Sequence, residues 1–464
     1  MKKIYYSGKD REVFVPGKKS FSLIEIIFIL MALATAPVPV KAIPSFARQT
    51  GLSCATCHTV FPELTSFGRQ FKLNGYTMTN IKTIAQKELS SNKKNSRDIL
   101  KLLHIPQISL AFNTGFTYLA KNLPETQNYN IEFPQSLSLY YGGEIAPHLG
   151  SFLQLTMDAT EGTFGIDMVD IRYANVTQMG KAPLLYGFTL NNGPMMEDVW
   201  NTVSPWSYPY SASGTAPTPS AGTMIEGGLM GAFGAGAYGL INNFLYVGFS
   251  VYRSAPFGTV FPPGKSSEMT IKGVSPYWNV GIQHQWAKSY LYVGTVGLSS
   301  RLYPSGISGP TDNYTDFGIS LQYEYAFVKG QFTVHSSYIW ENQQLNASFK
   351  TENSQYLTGR INSFKTDASI YLRKGYKFTL GYFNYFGTSD NIIYAPDSVS
   401  GSRTGYPNSN GLLVQVDFLP WENTKFSLIY ASYFKFNGSV DNYDGFNRNA
   451  GDNNSVYLQF WFLF

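Results

Sequence analysis

Only two cysteines occur in the 464 residues, and charged residues are scarce at 14%. The net charge of +5 is spread along the chain with no basic patch, so nothing speaks for nucleic acid as a partner. After the first forty or so residues there is no long apolar run and no alternation of strand with helix patterns, which argues against a multi-domain α/β enzyme. What the chain has instead is aromatic side chains and glycine: 33 Tyr, 34 Phe, 7 Trp and 43 Gly. That balance suits an all-β protein girdled with aromatic residues.

Both cysteines fall in one stretch, Cys54-Ala55-Thr56-Cys57-His58. Two residues between cysteines and a histidine directly after the second form the c-type haem attachment pattern. Cys54 and Cys57 each take a thioether bond from a porphyrin vinyl group, and His58 reaches the iron as proximal axial ligand. A zinc site would need two further soft ligands that no other cysteine supplies, and a thioredoxin-like redox pair would need a βαβ context that is missing.

The N-terminus reads as an export signal over residues 1–42. Lys2, Lys3, Lys18 and Lys19 precede an apolar run from Phe21 to Ala36, and Val40-Lys41-Ala42 resembles a small-residue cleavage site. The charged region is long for such a signal, and Phe21-Ser22-Leu23-Ile24-Glu25 resembles a type IV pilin leader. Pro37 and Pro39 stop the long helix that a pilin would need. The run is also short for a membrane span and carries Glu25. Export suits haem attachment, which requires reduced cysteines outside the cytoplasm.

Residues 43–80 are compact and irregular, with Pro44, Gly51, Pro62, Gly68 and Gly75 limiting any helix to a short one. Ile43-Pro44-Ser45-Phe46-Ala47-Arg48-Gln49-Thr50-Gly51 precedes the cysteines. Phe61-Pro62-Glu63-Leu64-Thr65-Ser66-Phe67-Gly68-Arg69-Gln70-Phe71-Lys72-Leu73-Asn74-Gly75-Tyr76 follows them. The block resembles the haem segment of the fused monohaem cytochrome-porins in the outer membranes of iron-oxidising bacteria. The residues themselves suggest that Phe46, Phe61, Phe67 and Phe71 pack on the porphyrin and that Arg48, Arg69 or Lys72 meets its propionates. A small core with solvated charges is the bland alternative for each.

Residues 81–104 are polar and lysine-rich and read as a linker. From residue 105 to 464 the texture is that of short segments with alternating polarity, separated by turns. About sixteen are countable between Gln107 and Phe464. Their connections alternate short and long, with short ones at Pro147-His148-Leu149-Gly150, Asn242-Asn243 and Val328-Lys329-Gly330 and long ones such as Asn191 to Gly227. This predicts a transmembrane antiparallel β-barrel with short periplasmic turns and long extracellular loops, and a C-terminus on the periplasmic side. Phe317, Ile319, Leu321, Tyr323, Tyr325 and Phe327 form an apolar row opposed by Gly318, Ser320, Gln322 and Glu324, so the first row is expected to face lipid. Val456, Leu458, Phe460, Phe462 and Phe464 repeat the device in a terminal strand resembling an outer-membrane assembly signal. A soluble sandwich or propeller does not explain the loop asymmetry.

On the opposite faces, Glu144, Asp158, Asp170, Glu324, Asp367 and Asp417 are expected to point into the lumen, where carboxylates either attract a hard cation such as Fe(II) or simply line a wet interior. For the distal side of the haem the candidates are Met78, His104 and His335, or an open position. The combined expectation is an outer-membrane protein whose haem segment plugs the periplasmic mouth of its barrel. The resemblance implies that it moves electrons from extracellular Fe(II) to a soluble periplasmic cytochrome or other carrier. A different extracellular donor and a passive porin with a structural or sensory haem plug remain open alternatives.

Overall fold

The computed structural model describes residues 44–79, 107–158, 162–200, 202, 212–254, 270–304 and 306–464. The expected signal segment, the expected linker and His104 lie outside the described residues.

Residues 108–463 form the barrel that the alternation predicts. Its sixteen strands are β1 Ile108–Leu119, β2 Asn130–Ala146, β3 Leu149–Asp158, β4 Thr163–Met179, β5 Ala182–Asn191, β6 Phe233–Ile241, β7 Leu245–Arg253 and β8 Ser275–Gln285, then β9 Ser289–Tyr303, β10 Asp312–Phe327, β11 Gly330–Gln344, β12 Thr358–Leu372, β13 Tyr376–Gly387, β14 Ser409–Trp421, β15 Thr424–Lys435 and β16 Ser455–Leu463. A two-residue pairing at Thr270–Ile271 adds to β9 from a loop. Consecutive strands pair antiparallel, and β1 pairs with both β2 and β16, so the sheet closes. At the seam Leu110 and the terminal Phe464 exchange backbone hydrogen bonds of 2.8 and 3.1 Å, leaving no open edge.

Faces follow the two-residue period. In β10 the outward Phe317 and Ile319 are each 44% exposed, whereas the inward Gln322 is 1% exposed. In β16 Tyr457, Gln459 and Trp461 point inward and are buried, with Val456, Leu458 and Phe460 on the other side. Apolar residues outside and polar ones inside invert the pattern of a water-soluble barrel and match one bathed in lipid. Short turns join β2 to β3, β4 to β5, β6 to β7 and so on around one end, and every long loop leaves from the other.

The loop between β5 and β6 departs from expectation. Instead of standing outside the barrel, its described residues fold into the lumen. It turns through a short helix at Pro194–Glu197, and Trp200 then stacks on Tyr292 of β9 with ring centroids 4.1 Å apart and donates its indole N–H to Tyr290 at 2.7 Å. Farther along, Ser213 is buried against Thr117 of β1, the Ile225 N–H donates to Asp316 of β10 at 2.6 Å, and Glu226 pairs with Lys365 of β12 at 2.6 Å. The physical reason is the loop's content. Val199, Trp200, Met224, Ile225 and Leu229 are too apolar to remain in water and bury themselves among inward residues of β5 to β11.

Candidate functional site

The segment before the barrel forms three short helices: α1 Ser45–Thr50, α2 Cys54–Cys57 and α3 Ser66–Leu73. Helix α2 is a single turn, closed by the His58 N–H on the Cys54 carbonyl at 2.9 Å. Positions i, i+3 and i+4 share one face of a helical turn, so Cys54, Cys57 and His58 are brought together by their spacing alone. Thr65 caps α3 by accepting from Gly68 N–H at 3.2 Å, and its hydroxyl donates to the Thr56 carbonyl at 2.7 Å, which ties α3 to α2.

The two helices meet at Gly68. A Cβ there would collide with the carbonyl of Cys57, so only glycine allows α3 to lie against the cysteine turn. Gly68→Ala is therefore expected to force α3 away from the cysteine turn and loosen the segment. Faster protease cleavage within residues 44–79, with the barrel still resistant, measures it.

Cys54, Cys57 and His58 all line one cavity of about 230 Å³. Phe46, Phe61, Phe67 and Phe71 line it too, and the barrel with its infolded loop contributes Tyr140, Phe152, Trp461 and two methionines, Met168 and Met196. Phe46 and Phe71 meet edge to face at 5.2 Å, and Phe61 meets Trp461 in the same way at 5.2 Å. Burial pushes both thiols up to about 11, with Glu422 adding to the effect at Cys54 and Cys54 adding to it at Cys57. A redox-active pair requires the opposite shift. The His58 ring lies against the carbonyls of Pro62 and Glu63. Burial lowers its pKa and keeps it neutral, the form in which imidazole ligates metals.

Around this cavity the segment is held to the barrel wall on all sides, at the short-turn end. Glu63 pairs with Lys377 of β13, and the His335 ring of β11 stands 3.9 Å from it. Burial alone would raise the Glu63 carboxyl, but Lys377 and then His335 outweigh it and hold it below the ordinary range. Arg69 pairs with Glu324 of β10 at 2.6 Å and lies over the Tyr290 ring. Tyr76 donates to Asp170 of β4 at 2.6 Å, Tyr238 of β6 donates to the Leu73 carbonyl at 2.7 Å, and Lys425 of β15 donates to the Phe61 carbonyl at 3.2 Å. At Gly75, with φ +70°, the chain passes against the backbone of Arg172, where a side chain has no room.

These contacts revise several expectations. Arg69 pairs with Glu324 and Arg48 donates to the Ile108 carbonyl, and neither is among the residues lining the cavity. Lys72 does line it, with its ammonium on the Asp198 carbonyl at 3.0 Å; burial, then Arg172, push that ammonium down to about 8. Of the lumen carboxylates, Asp170 and Glu324 anchor the segment, whereas Asp367 lies 3.3 Å from His335 of the neighbouring strand. His335 and Met78 are not among the residues lining the cavity. Met168 and Met196, which are, come from β4 and the infolded loop.

Arg69→Ala tests the seating. It leaves Glu324 buried without its cation, a loss of about 3–5 kcal/mol for a buried pair. The expected outcome is a loosened plug, read as faster protease cleavage within residues 44–79 while the barrel stays resistant.

No family model and no curated protein matches the chain. Among solved structures, it is similar to OmpF of Salmonella typhi in complex with daunomycin, at 10% identity and TM-score 0.45, over 77% of this chain and 97% of that one. It is also similar to an anion-selective porin of Comamonas acidovorans at 11% identity and TM-score 0.44, over 77% and 98%. The outer-membrane channel DcaP of Acinetobacter baumannii matches at 10% identity and TM-score 0.43, over 77% and 96%.

Proposed function

We propose that this chain is an outer-membrane monohaem c-type cytochrome joined to a porin-type barrel, taking electrons from extracellular Fe(II) and delivering them to a soluble periplasmic carrier. The observation that carries the reading is the meeting of Cys54, Cys57 and His58 on one apolar, aromatic-walled cavity in the barrel mouth. A porphyrin is a flat apolar ring with one acidic edge, and the residues present fit it: aromatic walls, a neutral imidazole, two half-buried thiols and Lys72 for a carboxylate. Bound haem supplies reversible one-electron chemistry at its iron.

The chain's own residues do the rest. The two cysteines tether the group, His58 orients it from one side, and the Phe and Trp side chains keep water from it. The ion pairs Arg69–Glu324 and Glu63–Lys377 fix the segment in the mouth. Short turns mark the periplasmic end of outer-membrane barrels, which puts the plugged mouth within reach of a periplasmic carrier and the long loops outside. The donor, Fe(II), rests on the resemblance of residues 43–76 to the iron-oxidising family.

Mixing purified, oxidised protein with Fe(II) tests the reading. The reduced haem bands are expected to rise at a rate that depends on Fe(II) concentration. Bands that respond to other reductants and stay unchanged with Fe(II) would remove iron as donor, and the absence of haem bands altogether would overturn the cytochrome reading.

A further inference from the structure

We infer that Met196, carried into the lumen by the loop between β5 and β6, is the distal axial ligand of the haem iron. The inference rests on the haem reading above and deepens it.

His58 and the cysteines come from one side of the cavity, and the remaining donors that line it come mainly from the barrel and its infolded loop. Tyr76, Lys72 and Asp198 have polar atoms engaged, on Asp170, on the Asp198 carbonyl and on the Trp200 N–H, and a carboxylate is a harder donor than a thioether. Tyr140 would have to lose a proton in an apolar wall before it could ligate, a charge cost that a thioether does not carry. That leaves the sulfurs of Met168 and Met196, soft donors suited to haem iron.

Between these two, the loop singles out Met196. Adjacent methionines in the Pro194–Glu197 turn part company: Met195 packs in the cluster of Tyr252, Tyr277 and Leu229, whereas Met196, 2% exposed, lines the haem cavity. The backbone at Met196 is fixed on both sides. Its N–H donates to the Gly193 carbonyl at 3.0 Å, and its own carbonyl accepts from Arg172 at 2.8 Å. Arg172 in turn holds Asp170 at 2.7 Å, and Asp170 accepts from Tyr76 of the haem segment. Lys72 makes a second tie from α3 to the same turn, at Asp198. The turn is thus bound at two points to the segment that carries His58, which supports the ligand much as outer hydrogen bonds support metal ligands elsewhere. Met168 sits on a strand of the wall, where among the described residues its backbone is held by the ladder opposite Gln154. The arrangement makes the sixth ligand part of the barrel, so that correct seating of the plug and completion of the iron's coordination are one event. A thioether in that position raises the reduction potential relative to a second histidine.

The test is spectroscopic and needs no turnover. In oxidised, purified protein the wild type is expected to show the weak far-red sulfur-to-iron charge-transfer band of His/Met coordination. Met196→Leu should lose that band and become high-spin with a lower midpoint potential, while Met168→Leu, Met195→Leu and Met78→Leu keep it. Met196→His should return a low-spin spectrum without the sulfur band and at lower potential, which shows that the loop still delivers residue 196 to the iron. Heat-modifiable gel migration verifies that each barrel is folded. Survival of the band in Met196→Leu, its loss in Met168→Leu or Met78→Leu alone, or a wild type with covalent haem but no such band would overturn the assignment. A wild type without covalent haem would instead overturn the cytochrome reading on which it stands.

Discussion

Exchanging Cys54 and Cys57 together for Ala is expected to yield a folded, membrane-inserted barrel with covalent haem reduced to background. The single variants are each expected to retain less than the wild type, since one thioether can still form. The barrel is indifferent because neither cysteine belongs to a strand. Its closure depends on the β1–β16 seam and on inward packing that begins at residue 108. The plug is also expected to stay seated, because the contacts that hold it are made by Glu63, Arg69, Tyr76 and the Leu73 carbonyl and not by sulfur. Haem staining after denaturing electrophoresis reads the first effect and heat-modifiable migration reads the second. Undiminished staining in the double variant would remove the attachment assignment. Loss of the folded band would show that haem attachment is needed for barrel assembly, contrary to the independence of strands and cysteines argued from the fold.

The barrel was legible because a half-buried strand writes its two faces into the chain with period two, and Phe317 to Phe327 or Val456 to Phe464 need no other context to be assigned. The turn that gathers the two cysteines was legible for a similar reason: the spacing of Cys54 and Cys57 is itself that of one helical turn, with His58 following at its end. What could not be read is pairing across distance. Nothing local in Glu63 names Lys377, and nothing in Arg69 names Glu324, so the lumen carboxylates were legible as inward but not as anchors. His335, one of the distal candidates, has Asp367 and Glu63 as its partners and does not line the cavity of the cysteines. The infolded loop did leave a signal. Met195-Met196, Val199-Trp200 and Met224-Ile225 are dense apolar pairs for a loop in water, and such density at a connection between strands is a sign that the loop will seek the lumen.

Joining the two halves, protein reconstituted in sealed vesicles is expected to carry electrons from external Fe(II) to an acceptor trapped inside, and His58→Ala to abolish that flux, by at least tenfold. Loss of the proximal ligand changes the iron's coordination and potential, whereas the strands, the Phe464 seam and the ion pairs at Arg69 and Glu63 are untouched. The second arm is a chain that begins near Lys101 behind a replacement export signal. Without residues 44–79 the inward Glu324, Lys377 and Asp170 lose their partners from the plug and take up water, so ion conductance should rise. The rise should be partial, because the described residues of the loop between β5 and β6 still occupy the lumen through Trp200 on Tyr292 and Glu226 on Lys365. Acceptor reduction should nevertheless fall to the level of empty vesicles once Fe(II) leakage is scavenged by an internal chelator. Equal acceptor reduction by the intact protein and by the plug-less barrel would mean that iron passes through the pore by itself, and the electron-transfer reading would give way to that of a porin with a structural haem plug.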